Sequence, residues 1–434
     1  MMAAESGGAP RWELTFDVHG APDADGLARL TAQAAGGVTD LVVFAHAWNT
    51  DEALARALDA RFFDLFAERT PGLGFVGVRW PSMRFADEPL PGTDAAGGGP
   101  ALDEASARAL HACFPDDPEP VAELIRLLAE QPPVQGEFDA FGVAVRKLAD
   151  LPLESDHAVL AADTQDELVP QSDPAMLFDD TAAVCRGFLE ALEETGACEP
   201  SRPGLGSGAD DEDLSGLWHG ARELLRQAVA YAVKRRAGVV GQQGLGPALA
   251  ALAQASPGTR VHLVGHGIGA RLAGFALRGL PDEVDTVASV TLLQGVLSHF
   301  AFSSNLPHDS RGKGMLHQQY MKVRGPVVCC YSAHDTSLEV FYPLASRMSG
   351  EWDGLLGVAH KWGALGFDGI HGVEGTVRCT LPEALQGKMP SHGCVNVDVA
   401  EVVRDGGPPM GAHHDVFHPE LARLVLRAAG LPEA

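Results

Sequence analysis

The chain has 434 residues, 46% hydrophobic and 21% charged, which is ample for a large core in one α/β domain with an insertion, or in two domains. Its formal net charge of −26 argues against nucleic acid and anionic membrane surfaces as partners, because both repel an acidic field. Seven scattered cysteines without paired CxxC knuckles argue against a disulfide framework or a zinc ribbon, and with no leader pattern or bilayer-length apolar run the expected location is the cytoplasm.

Trp12–Val18 alternates apolar and polar residues, as an edge strand does. Asp40–His46 is a continuous apolar run, which suits a strand buried on both faces. Asp51–Phe66 spaces Leu54, Leu58, Phe62 and Leu65 as a helix would, and Gly74–Trp80 reads as another buried strand. The order β, β, α, β predicts a mostly parallel sheet with helices on its faces.

From about Phe85 to Leu214 the pattern changes. Gly-, Pro- and acid-rich stretches (94–100 and 204–213) flank helical segments such as Val121–Leu128 and Thr181–Leu192. The chain therefore divides into a first core part (1–85), a helical insertion (86–214) and a second core part (215–434). The insertion is either a lid over the site or a surface embellishment. Beyond it come a helix over Leu217–Arg236, a strand at Val261–Gly265 and a helix over Ile268–Leu280. Strands at Val287–Leu293 and Gly325–Tyr331 follow, then a final helix over Pro419–Ala429 with Gly430 at its C-cap.

The chemistry concentrates where strands end. Gly265-His266-Gly267-Ile268-Gly269 joins a buried strand to a helix, the layout of the nucleophile elbow G-x-S-x-G, but Gly267 stands at the serine position. His46-Ala47-Trp48-Asn49 follows an early buried strand. Asp335 follows a later one, in Tyr331-Ser332-Ala333-His334-Asp335, where it suits either a triad acid or a turn or N-cap aspartate. His413, preferred over His414, lies in a loop before the last helix and suits either a base or a surface histidine.

Together these segments resemble the α/β-hydrolase superfamily, and more narrowly large bacterial serine hydrolases of unassigned substrate. Val78–Ser82, Lys234–Gly241, Leu292–Gly295 and Tyr342–Ser346 also carry the likeness. The resemblance implies an α/β-hydrolase fold with a mostly parallel central sheet, flanking helices and the helical insertion. It implies the chain order elbow, acid, histidine, with Asp335 and His413 as acid and base. It makes His46-Ala47-Trp48 an oxyanion loop, with Ala47 replacing the usual glycine, and the N–H of Ile268 the second oxyanion donor. His266 packs beside the elbow. No metal and no cofactor are implied.

Without a serine, covalent acyl transfer lacks its nucleophile. Three expectations follow. The first is an enzyme using His413 and Asp335 for acid/base work on a small organic substrate: proton abstraction, elimination, cyclisation or water-mediated hydrolysis. The second is a non-catalytic pseudo-hydrolase that binds a ligand or partner. The third is a serine esterase inactivated at Gly267. Cys330 and Ser332 lie near the end of the strand before Asp335, but Cys329 and Cys330 are expected to be buried core thiols rather than substitute nucleophiles. Ser391-His392-Gly393-Cys394 resembles the S-H-G-C signature of L,D-transpeptidases, yet Asn396 stands where that signature carries arginine. His413, His414 and His418 lack the spacing of a zincin.

Overall fold

The computed structural model describes residues 9–34, 36–66, 71–83, 85, 99–149, 159–165, 177–194, 214–341, 363–407 and 410–432. Eight strands form its main sheet: β1 Arg11–Thr15, β2 Asp40–Ala45, β3 Leu73–Arg79, β4 Arg260–His266, β5 Val287–Leu293, β6 Pro326–Tyr331, β7 Val377–Thr380 and β8 Gly393–Asp398. Their order across the sheet is β1-β3-β2-β4-β5-β6-β8-β7. Every neighbouring pair runs parallel. The fold is α/β, as the alternation of buried runs and helical segments predicts.

A parallel sheet is covered on both faces, so its central strands read as unbroken apolar text. All six residues of β2 and all seven of β3 are buried. The period of two then divides them. Leu41, Val43 and Ala45 point into one apolar cluster, while Val42 and Phe44 point into the other. Cys329 and Cys330 separate in the same way.

On the second face lie α2 (Glu52–Asp64) and the C-terminal helix Pro419–Ala428, through Phe62, Phe63, Leu421, Leu424 and Val425. Asp51 caps α2 by accepting from the Leu54 N–H at 2.8 Å. Gly430, at φ 65°, ends the C-terminal helix at the position where a left-handed residue is needed.

The first face carries a long helical run, Trp218–Val239 followed by Gly246–Ala255, with a π-helical turn at Val240–Leu245 between them. Pro247 cannot donate to the carbonyl one α-turn back, so the ladder changes step there. The turn packs on the helix Ile268–Gly279 at very short range. A Cβ on Gly241 would stand 2.4 Å from the Leu272 carbonyl oxygen.

Helices Glu104–Cys113, Pro118–Glu130, Gln135–Leu148 and Thr181–Glu194 lie in the stretch read as an insertion. Phe138 stacks on Trp218 with ring centroids 4.3 Å apart, and Phe141 meets the same indole edge-on at 5.7 Å. Leu124, Phe138, Phe141 and Phe188 belong to the same contiguous apolar cluster as Val43 and Leu263 of the sheet. These helices therefore share a core with the sheet through Trp218–Val239.

Several elements carry no clear sequence signal, notably β7 and β8 at the far edge. Among the described residues no helix is long and apolar enough to cross a membrane. Tyr342–Ser346, which carries part of the likeness, lies outside the described residues, as do 204–213 and most of 94–100.

Candidate functional site

β4 ends at His266, Gly267 adopts φ 57° and ψ −123°, and the next helix begins at Ile268. The three glycines of this turn have different reasons. A Cβ on Gly265 would lie 2.4 Å from the Gly269 carbonyl oxygen, and one on Gly269 would lie 2.2 Å from that of Ala45. Both positions require backbone to pass backbone. Gly267 is instead set by its positive φ, which other residues reach only with strain.

The direction in which Gly267 faces defines the site. An ideal Cβ there would stand 3.0 Å from His413 Nε2 and 3.0 Å from the Ala47 Cβ. The resemblance-derived histidine, the elbow and the early loop thus meet at one point. Sheet register explains part of this: Ala45 pairs with Gly265, so the loop after β2 emerges beside the elbow.

His413 is 1% exposed, and its Nδ1 lies 2.7 Å from Asp335 Oδ2. A carboxylate accepts, so Nδ1 carries the proton and Nε2 presents its lone pair. Asp335 is fully buried and collects further donors: Ser337 Oγ at 2.7 Å, the Leu338 N–H at 3.1 Å and Gln294 Nε2 at 3.4 Å. The histidine loop is tied down by the Ala412 N–H to the His334 carbonyl at 2.9 Å.

His266 supports that loop from below. Its Nε2 donates to the His413 carbonyl at 2.8 Å, while its Nδ1 is buried with no partner. Burial, then the neighbouring His413 and His414, hold its pKa well below the ordinary histidine value. Burial, then His413, pushes His414 down to about 3. Burial likewise pushes His46 down to about 4, with its Nδ1 donating to the Ala47 carbonyl at 2.8 Å. These are neutral imidazoles at pH 7.

The loop Ala47–Thr50 is buried and pinned. The Trp48 ring packs edge-on against Phe85 at 6.1 Å. Asn49, at φ 58°, donates through Nδ2 to the Phe85 carbonyl at 3.2 Å and accepts from the Phe85 N–H. The Trp80 indole donates to the His46 carbonyl at 3.3 Å. Ile268, first in its helix, has an N–H with no acceptor within that helix.

Gln294 is a site residue that the sequence reading did not single out. It sits directly after β5 at φ 46°, is fully buried, and donates to both Asp335 and the Gly366 carbonyl. Its position at a strand end, inside a segment that carries the resemblance, was the available signal. Ser337 was also missed.

Alternative chemistry finds less support. Cys330 lies in the second core, and burial pushes its thiol far up. Ser332 Oγ is spent on the Val403 carbonyl at 2.6 Å. Cys394 is a buried residue of β8, with its thiol also pushed up by burial. His418 pairs with Asp415 at 2.8 Å. His266, His413 and His414 each place one donor atom within 4.8 Å of the others, a spacing compatible with a metal ion. Two of their six ring nitrogens are already committed, to Asp335 and to the His413 carbonyl.

A comparison with protein-family models, with curated proteins and with solved structures found no match to this chain.

Proposed function

We propose that the protein is an atypical enzyme of the α/β-hydrolase type. In it His413, oriented by Asp335, moves protons to and from a small organic substrate seated above Gly267, without a covalent intermediate. The observation that carries the reading is the placement of the base: His413 Nε2 lies 3.0 Å from where a Cβ on Gly267 would stand, and glycine puts no side chain there. The order elbow, acid, histidine along the chain supports the superfamily assignment.

Asp335 holds the imidazole in the tautomer that accepts at Nε2. In the hydrolytic form of the reaction, Nε2 takes a proton from water as the water oxygen bonds to the carbonyl carbon. The charge developing on the carbonyl oxygen is met by the N–H of Ile268 and by the Ala47-Trp48 backbone. The imidazolium then returns the proton to the leaving oxygen as the carbon–oxygen bond breaks. In eliminations or cyclisations the same nitrogen takes the proton from substrate. The step as written draws on no cofactor.

A panel of activated small esters, beginning with p-nitrophenyl acetate, tests this. Turnover by the wild type is expected to fall by roughly 10²–10⁴ in His413→Ala and Asp335→Asn. Intact-mass spectra should show no acyl adduct. Equal rates in all three proteins would sink the proposal. A second reading, a non-catalytic ligand-binding protein, draws on the Ala47 methyl crowding the elbow. It takes over if wild type and variants all remain at background.

A further inference from the structure

A second cluster of side chains of metal-ligand type joins the loop after β5, which carries His299, to the segment before β7, which carries Asp368 and His371. His299 is a buried side chain with 1% exposure, whereas Asp368 and His371 are each about a third exposed. His299 Nδ1 stands 3.1 Å from Asp368 Oδ1 and 3.0 Å from Oδ2. His371 Nε2 stands 3.4 Å from the same Oδ2 and is hydrogen-bonded to the Asp368 carbonyl at 3.2 Å, so a bound ion would replace hydrogen bonds at both imidazoles. One donor atom from each of the three lies within 4.8 Å of the others.

The backbone holds these residues in place. The His299 N–H donates to the Gly363 carbonyl at 3.0 Å, and the His371 N–H donates to the His299 carbonyl at 2.8 Å. Arg378 Nη2 fixes the Asp368 carbonyl at 2.8 Å. A Cβ on Gly363 would stand 2.5 Å from the His299 ring and 3.3 Å from Asp368 Oδ2, so a glycine is what leaves the cluster its room.

We propose that His299 Nδ1, the Asp368 carboxylate and His371 Nε2 form a site for a divalent transition-metal ion of the zinc class. Ligands about 2.0–2.2 Å from one ion, at angles near 90–110°, are separated from each other by about 2.9–3.5 Å. The separations of 3.0 and 3.4 Å at Asp368 Oδ2 fall in that interval. Two imidazoles and one carboxylate suit zinc, cobalt, nickel or ferrous iron, not magnesium or calcium.

The two rings stack with centroids 4.5 Å apart and planes 22° apart. A shared ion therefore requires the partly exposed His371 ring to turn about its Cβ–Cγ bond. The exposed side of Asp368 and His371 leaves room for water in the remaining positions. Bound metal would clamp the loop at His299 to the segment that carries Gly366, whose carbonyl holds Gln294.

The inference is independent of proton transfer at His413, because it is read by binding. The full chain, stripped with EDTA, is titrated with zinc chloride by calorimetry and with cobalt chloride by visible absorption. One equivalent is expected to bind more tightly than about 10 µM. Asp368→Asn and His371→Ala should each weaken binding by at least about 100-fold, more than the loss of an outer-shell partner costs. Circular dichroism checks their folding. His414→Ala, which alters the other imidazole cluster, should bind as wild type. Wild-type protein that binds no zinc at about 100 µM, or variants at 368 and 371 that bind unchanged, would overturn the site.

Discussion

Gly267→Ser places a hydroxyl at the elbow, and the structure says what its Cβ meets. The new Cβ would stand 3.0 Å from the Ala47 Cβ, where carbon–carbon contacts favour about 3.5–4.0 Å. Overpacking of this kind costs about 1–3 kcal/mol. A residue other than glycine at φ 57° adds strain of roughly 1–3 kcal/mol. The single variant should therefore lose about 2–6 kcal/mol against urea. Ala47→Gly removes the opposing methyl and should cost about 1 kcal/mol alone. Combined, the two substitutions should be more stable than additivity allows by about 1–2 kcal/mol, a coupling read from a double-mutant cycle. The double variant should also gain esterase activity on p-nitrophenyl acetate and label with a fluorophosphonate, because Nε2 lies at the right side of the new hydroxyl. A coupling below about 0.5 kcal/mol would refute the steric argument. A stable double variant that neither turns over nor labels would refute the view of His413 as a poised base.

Gly269→Ala places a Cβ 2.2 Å from the Ala45 carbonyl oxygen, backbone that cannot swing aside, so this small change should cost more than about 3 kcal/mol and lower the melting temperature accordingly. Asp40 gives a pH-dependent test. Burial raises its pKa, but hydrogen bonds from His262, Arg260 and Thr39 outweigh burial and bring it down to about 2. A depressed carboxylate contributes stability above its unfolded value near 4, and loses that stability as pH falls towards 2. The shift corresponds to roughly 2 kcal/mol, reduced towards 1 kcal/mol because Arg260 is 39% exposed and screened by solvent. Asp40→Asn should therefore be less stable than wild type at pH 7 in urea, with the difference closing between pH 4 and pH 2. A difference that does not change with pH would refute it.

The central strands were legible because burial on both faces leaves β2, β3 and the strands at Val261, Val287 and Pro326 predominantly apolar, with only isolated polar residues such as Asp40, His262 and Thr291. β8 was not, because Asn396 interrupts it. That side chain is satisfied by the backbone of Ile370, accepting from its N–H and donating to its carbonyl at 2.8 Å each, a pairing no local pattern announces. β7 is short and largely exposed, so it carries no apolar run at all. His413 and Asp335 were legible from their places at loop and strand ends, and the structure brings them together. Gln294 acts through a carboxylate that only the fold delivers to it.

The least legible feature is the contact between Ala47 and Gly267. Each residue differs from what the resemblance implies, and neither sequence position announces the other. In the structure they face each other across a gap that would hold one methyl but not two at normal contact distance. The Ala47 methyl takes the space that a Cβ on Gly267 would need. His413 Nε2 stands at the same point, with four donors fixing its carboxylate partner. A buried carboxylate with several donors is costly to assemble and is lost readily by single substitutions. Asp335 and His413 are thus held beside Gly267 by the fold itself, without any side chain at the elbow.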